Sequence, residues 1–348
     1  MRLRFPERVS LVDVILWALR VGIVVFVVAG SWATLTKGVL GFEGWRELFI
    51  VGLAQGSIYA LIALGYTLVY GVLFMINFAH GEVFMSGAFT AYFVAVGLAD
   101  SGVLDANPFL GLAIIFLVSM LTSMSVAVLL ERIAYRPLRR APRLVPLITA
   151  IGASLVLQYS FRQLYGSGAR AYPQFEILVG RWEIFGAPIL KTQVVVIVAA
   201  LLLMVGLYFF VQKTRTGRAM RAVSEDKDVA AMMGINVDRV IATTFAIGGL
   251  LAGAAGILYV FIFNQVQFAM GFLPGIKAFT AAVLGGIGNI VGAMLGGLFL
   301  GVLESIGPFL FLSGLGVPST NQLRDVVAFS MLVLVLIFRP YGILGHKE

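Results

Sequence analysis

A few polar side chains stand inside otherwise apolar stretches of this sequence, and any chemistry must be sought there. Gln55, Asn77, His80, Glu82, Lys277, Thr280, Asn289 and Glu304 all interrupt such runs. An ionisable group in hydrocarbon is expensive, so residues of this kind face a bundle interior or a water-filled path. Their chemistry is recognition rather than bond-making: carboxylate, ammonium, imidazole and amide groups suit the charged ends of a small solute or the closing contacts of a gate. The tightest group is Asn77, His80 and Glu82. At i and i+3 of a helix, Asn77 and His80 share a face, and Glu82 joins them only if Gly81 breaks the helix. The expectation is a Glu82-centred hydrogen-bond network holding a closed inner gate, with ligand contact secondary. The alternative is a satisfied polar network that stiffens a broken helix. Phe74, Phe78 and Phe84 are candidate walls for an apolar side chain.

Several chemistries are excluded. Cysteine is absent and only His80 and His346 supply imidazoles, which leaves no thiolate nucleophile and little for a metal. The sequence holds no G-x-x-x-x-G-K-[ST] phosphate loop, G-x-S-x-G elbow or H-E-x-x-H pair. Neither an enzyme nor a resident cofactor is expected. The net charge of +8 reflects basic residues gathered on one membrane face rather than a nucleic-acid partner.

Membrane-spanning helices must position these residues. With 60% hydrophobic and 12% charged residues, the 348-residue chain cannot cover a soluble surface. The stretches 48–81, 240–276 and 278–303 carry no Asp, Glu, Lys or Arg, and each exceeds the roughly 20 residues that cross a bilayer. The fold class is all-α, a polytopic integral membrane bundle of about 8–10 transmembrane helices. Candidate spans are 11–36, 48–68, 70–98, 109–131, 145–165, 192–212, 241–264, 276–312 and 325–338. The span 276–312 is too long for one helix, and Leu284–Asn289, with three glycines, reads as a break between two helical pieces. Residues 1–44 form an N-terminal extension with an extra transmembrane helix, read as a signal anchor after Arg2, Arg4 and Arg8. Residues 45–345 form the main domain.

Basic clusters orient the spans. Arg132, Arg136, Arg139, Arg140 and Arg143 form one, and Lys213, Arg215, Arg218, Arg221, Lys227 and Arg239 another. Two spans separate them, so both belong on the cytoplasmic side, and parity puts the C-terminus there too. The span 70–98 then starts inside, which places Asn77, His80 and Glu82 in its inner half.

Two patterns remain. Gly249 with Gly253, the series Gly288, Gly292, Gly296, and Gly297 with Gly301 recur four apart, a spacing that lets helices approach closely within one subunit or at an interface. The segment 213–240 is the one long hydrophilic stretch on the inner face, well beyond the usual loop length of about 4–6 residues. Ala222, Val223, Val229, Ala230, Met232 and Met233 predict a short amphipathic helix ending at Gly234, a C-cap suited to docking a soluble partner.

Four stretches carry a family resemblance: GLAQGSIYALIALGYTLVYGVLFMINFAHGEVFMSGAF (52–89), ERIAYRPLR (131–139), GRAMRAVSEDKDVAAMMGINVDRVIATTFAIGG (217–249) and KAFTAAVLGGIGNIVGAMLGGLFLGVLES (277–305). Over about 45–345 the sequence resembles the H-type permease subunit of branched-chain amino-acid ABC importers. The resemblance implies a multi-pass protein of a bacterial plasma (inner) membrane that pairs with a second, related permease subunit. It also implies two cytoplasmic ATP-binding subunits, which would carry the ATP, and an extracytoplasmic substrate-binding protein. By the same resemblance Gly217, Arg218, Arg221, Glu225, Asp226, Ala230 and Gly234 inherit the ATPase-coupling role. Members of the family also serve urea, short amides and aromatic acids. From the residues alone, an ion-coupled secondary transporter using the 276–312 break and Glu82 is the competing reading.

Overall fold

The fold is taken from a computed structural model that describes residues 11–139, 141–142, 144–184, 187–339 and 342–345. Arg2, Arg4, Arg8, Arg140, Arg143 and His346 lie outside the described residues. Among the described residues thirteen α-helices follow in chain order: α1 (Leu11–Thr36), α2 (Phe42–Leu73), α3 (His80–Asp100), α4 (Val103–Ala106), α5 (Pro108–Leu130), α6 (Leu144–Tyr165), α7 (Lys191–Lys213), α8 (Arg215–Glu225), α9 (Lys227–Met232), α10 (Val237–Phe263), α11 (Phe272–Gly285), α12 (Ile290–Leu312) and α13 (Arg324–Phe338). Among the described residues, nine helical segments are long and apolar enough to cross a membrane, those of α1, α2, α3, α5, α6, α7, α10, α12 and α13. An all-α polytopic bundle is what the sequence predicts.

The core gathers around α2, α3 and α10, which bury most of their length, while α1, α6 and α13 keep mainly apolar outer faces. Close approach depends on glycine. A β-carbon on Gly301 would run into the Gly56 backbone, and one on Gly297 into Ala60, so α12 lies antiparallel against α2 with its backbone nearly touching. Gly249 and Gly253 similarly admit the Ser119–Ala127 stretch of α5. Gly292 and Gly296 face Gly285 and Ala281 of α11. These glycines thus pack helices within the chain, whereas Gly288 belongs to the break itself, at φ +93°. Gly301→Val is expected to cost about 3 kcal/mol by overpacking, read as a lowered melting temperature of the purified chain.

Short pairings agree with the sidedness read from charge. Strand β1 (Arg170–Ala171) pairs antiparallel with β4 (Gln265–Val266), joining the α6–α7 and α10–α11 connections on one face. Between them in sequence, β2 (Arg181–Ile184) and β3 (Ala187–Leu190) form a hairpin in the first of those connections. On the opposite face Arg136 donates to Asp238 at 2.5 Å and Arg139 pairs with both Asp238 and Glu131. That clamp ties the α5–α6 connection to the start of α10. Both basic segments therefore share a side.

The expected break is present. α11 ends at Gly285, Asn289 caps α12 by accepting from the Gly292 N–H at 3.0 Å, and Gly286 and Gly288 take positive φ between them. After α13 the tail returns to this point: Ile343 and Leu344 donate backbone bonds to Leu284 and Gly285. At 14 residues α11 rises only ~21 Å, less than the ~30 Å hydrocarbon core, so it is a half-membrane helix.

Candidate functional site

Two helices begin inside the bundle, and their N-termini meet. α2 ends at Phe74 with φ 56°, and residues 74–79 are non-helical before α3 starts at His80. From the other face, residues 267–271 lead into α11. Gly81 in the first turn of α3 lies against Gly271, the N-cap of α11, so closely that a β-carbon on either would collide with the other's carbonyl oxygen. Gly275 also abuts Gly81, with the Tyr66 hydroxyl beside it. Non-helical backbone at this depth survives because protein buries it.

Neighbouring helices give the depth. Glu82 reaches Ser154, halfway along the 22-residue α6. His80 fills the space left by Gly65, about 12 Å before the inner end of α2 by helical rise. It also approaches Gly248, about 16 Å into α10 from the same face. The junction thus lies within the inner half of α2 and of α10, and residues 74–79 climb into the bundle before the helix begins.

Asn77, His80 and Glu82 do not form one network. Asn77 lies in the connection, not on a helical face shared with His80. Its Oδ1 accepts from the Tyr135 hydroxyl at 2.6 Å and the Ala79 N–H at 3.1 Å. His80 packs edge-on to Tyr66 with ring centroids 5.0 Å apart, and its Nε2 has no partner. Glu82 is 1% exposed; Oε1 stands 3.5 Å from the Ser154 hydroxyl and Oε2 is unpartnered. Among the described residues no base pairs with it. Of the proposed walls, Phe78 packs on Phe279 and Phe84 on Tyr259, while Phe74 is half-exposed near the inner face.

A second buried charge group lies beside the junction. Lys277 of α11 donates to Glu304 of α12 at 2.7 Å and to Asp325 of α13 at 2.6 Å. The Tyr59 hydroxyl of α2 adds a longer bond to Glu304 Oε1 at 3.4 Å. Lys277 thus fastens the half-helix to two full ones. The other polar residues read from sequence stand apart. Thr280 bonds back to the Ile276 carbonyl, and Gln55 is buried with Oε1 unpaired. Asn289 is a helix cap that also holds Leu344 O at 3.0 Å. Sequence reading missed Ser154, Tyr135, Tyr59 and Asp325; hydroxyls in apolar spans are ordinary, and Asp325 resembled a span boundary.

On the inner face the 213–240 segment is two helices, not one. Thr214 caps α8 by accepting from Gly217, and Asp226 ends α8 and caps α9 by accepting from Asp228 and Val229. The run Glu225-Asp226-Lys227-Asp228 held that second cap signal. Gly217 leaves room for the last carbonyls of α7, which a β-carbon would strike. Gly234 takes φ +84° after α9, with Ile235 N–H reaching Ala230 O and Gly234 N–H reaching Ala231 O, as a Schellman cap requires. Val223 and Ala230 are buried against the bundle, while Met232 and Met233 are each 79% exposed. Lys227 stands 5.6 Å over the Phe74 ring, touching the connection that climbs to the junction. Burial, with Arg139 nearby, lowers its pKa.

Comparison with known proteins adds to this geometry. A family model described as the branched-chain amino acid transport system permease component matches residues 48–336. The high-affinity branched-chain amino acid transport system permease protein BraD of Pseudomonas aeruginosa is 46% identical over 307 residues, covering 87% of this chain and 97% of that protein. The permease protein LivH of Escherichia coli K12 is 43% identical over 300 residues, 85% and 94% of the two chains. A probable LivH of Methanocaldococcus jannaschii is 30% identical over 320 residues, 89% and 96%. No solved structure matches.

Proposed function

Because this chain belongs to the branched-chain amino acid transport permease family, we propose that it forms one membrane-spanning half of an ATP-driven importer whose power stroke enters through α8 and α9. It is a multi-pass membrane permease of branched-chain amino acids, a transport component rather than an enzyme. The partners in this reading are a second, related permease chain, two cytoplasmic ATP-binding subunits and an extracytoplasmic binding protein that presents the ligand. Hydrolysis then belongs to the ATP-binding subunits.

One observation carries the reading: α9, on the inner face, rests directly under the connection that leads to the α3–α11 junction. Met232 and Met233 offer exposed apolar knobs amid charge, a surface suited to a groove on a soluble partner. Behind them Lys227 meets Phe74, and Asn77 is held by Tyr135 of the α5–α6 connection. A push on α9 therefore reaches residues 74–79, and through them His80 and Glu82. In this reading Asn77, His80 and Glu82 lie on the substrate path or its gate, with Gln55, Lys277 and Thr280 supporting the helices that form it. Gly217, Arg218, Arg221, Glu225, Asp226, Ala230 and Gly234 shape the dock.

The test is co-purification of the ATP-binding subunits with a double variant, Met232→Asp with Met233→Asp. The expected result is loss of the bound subunits from a permease whose melting temperature is unchanged. Wild-type recovery of those subunits would contradict the reading. Gly234→Val is milder. A β-carbon there meets no neighbour, so the cost is backbone strain of about 1–2 kcal/mol, confined to α9. Weaker assembly and reduced uptake with an intact bundle are expected, read by the same pull-down and by thermal melting.

A further inference from the structure

We propose that Glu82 is the counter-ion for the α-ammonium group of the transported amino acid as it passes the junction of α3 and α11. The inference rests on the importer reading above and names the chemistry of its central site. A carboxylate that is 1% exposed, with no base beside it among the described residues and one oxygen unpartnered, is costly in a membrane interior. Its surroundings offset only part of that cost. Glu82 lies in the first turn of α3, and its Oε2 would be 3.1 Å from a β-carbon on Gly271, so it points at the N-cap of α11. Two helix N-termini thus present partial positive charge to one carboxylate. Among the described residues, none brings it a full cation.

The transported class supplies one. A zwitterionic amino acid carries an ammonium that fits Glu82 Oε2, the oxygen without a partner. The small residues at the junction, Gly81, Gly271 and Gly275, let a solute reach backbone once the helices part. Here the helices meet at these glycines, and a solute gains entry only when they part.

Charge and shape separate this role from simple capping of α11. In complexes reconstituted with the ATP-binding subunits and binding protein, Glu82→Gln is expected to lower maximal leucine uptake about tenfold or more. KM and melting temperature should be unchanged, and Glu82→Asp should retain more uptake than Glu82→Gln. Equal uptake by Glu82→Gln and wild type overturns the proposal. So does a loss of melting temperature in Glu82→Gln that parallels its loss of uptake, which would assign Glu82 to holding α11. A measurement on the unmutated complex is independent of folding: carbodiimide modification of Glu82, read by mass spectrometry. Leucine should protect and 4-methylvalerate, which lacks the ammonium, should not; equal protection by both, or by neither, overturns the proposal. Absence of ATP-dependent leucine uptake by the wild-type complex would instead overturn the importer reading, a result separable from these.

Discussion

Lys277→Met is expected to destabilise the protein by about 3–5 kcal/mol, because it strands a buried carboxylate. Glu304 is 3% exposed and its other oxygen already lacks a partner. Removing the ammonium leaves it only the long Tyr59 bond. Asp325 is half-exposed and can hydrate, so its loss of partner costs little. The decisive variant is the double one. Lys277→Met with Glu304→Leu removes both charges and fills similar volume, and it should recover most of the melting temperature lost by Lys277→Met alone. Recovery will be incomplete, since the Tyr59 hydroxyl loses its acceptor. A double variant no more stable than the single one would show that Lys277 acts by something other than charge compensation. Because these residues fasten the half-helix α11, the double variant should fold yet transport poorly.

The second large effect falls at the meeting of the half-helix and α3. Gly81→Val and Gly271→Val each place a branched side chain where the opposite carbonyl already stands. Neither neighbour is a flexible side-chain tip, so backbone must move, and about 3 kcal/mol or more is expected for each. Gly71→Val is the control. It lies in the last turns of α2, where a β-carbon meets nothing within 4 Å, and it should cost less than about 1 kcal/mol. Thermal melting of the three variants orders them. If Gly81→Val melts with Gly71→Val, the two helix starts are not in contact.

Much of this architecture is readable from the chain because two signals are strong. Apolar length marks the spans, and arginine clusters such as Arg132–Arg139 mark the side. The 284–289 break was legible for the same reason: three glycines and an asparagine in an overlong apolar run have no other use. The start of α3 was not. Residues 71–79 are continuously apolar apart from Asn77 and contain no proline, so nothing local forbids helix. The non-helical stretch is imposed by tertiary contacts, the Tyr135–Asn77 bond and the pocket that Gly65 opens for His80. That one unread feature split the polar cluster into separate sockets. Lys277 was singled out by its charge, but its partners come from helices distant in sequence, and no spacing rule links 277, 304 and 325. The inner segment shows the reverse case: its amphipathic pattern was clear, and only the cap at Asp226 divides it.

The central claim, that this permease is driven by ATP through α8 and α9, is tested most directly by leucine uptake into proteoliposomes. The account predicts uptake only when the ATP-binding subunits, their ATP and the binding protein are all present, and its abolition by Met232→Asp with Met233→Asp. Leucine accumulation by this chain alone, driven by a proton or sodium gradient without ATP, would contradict it.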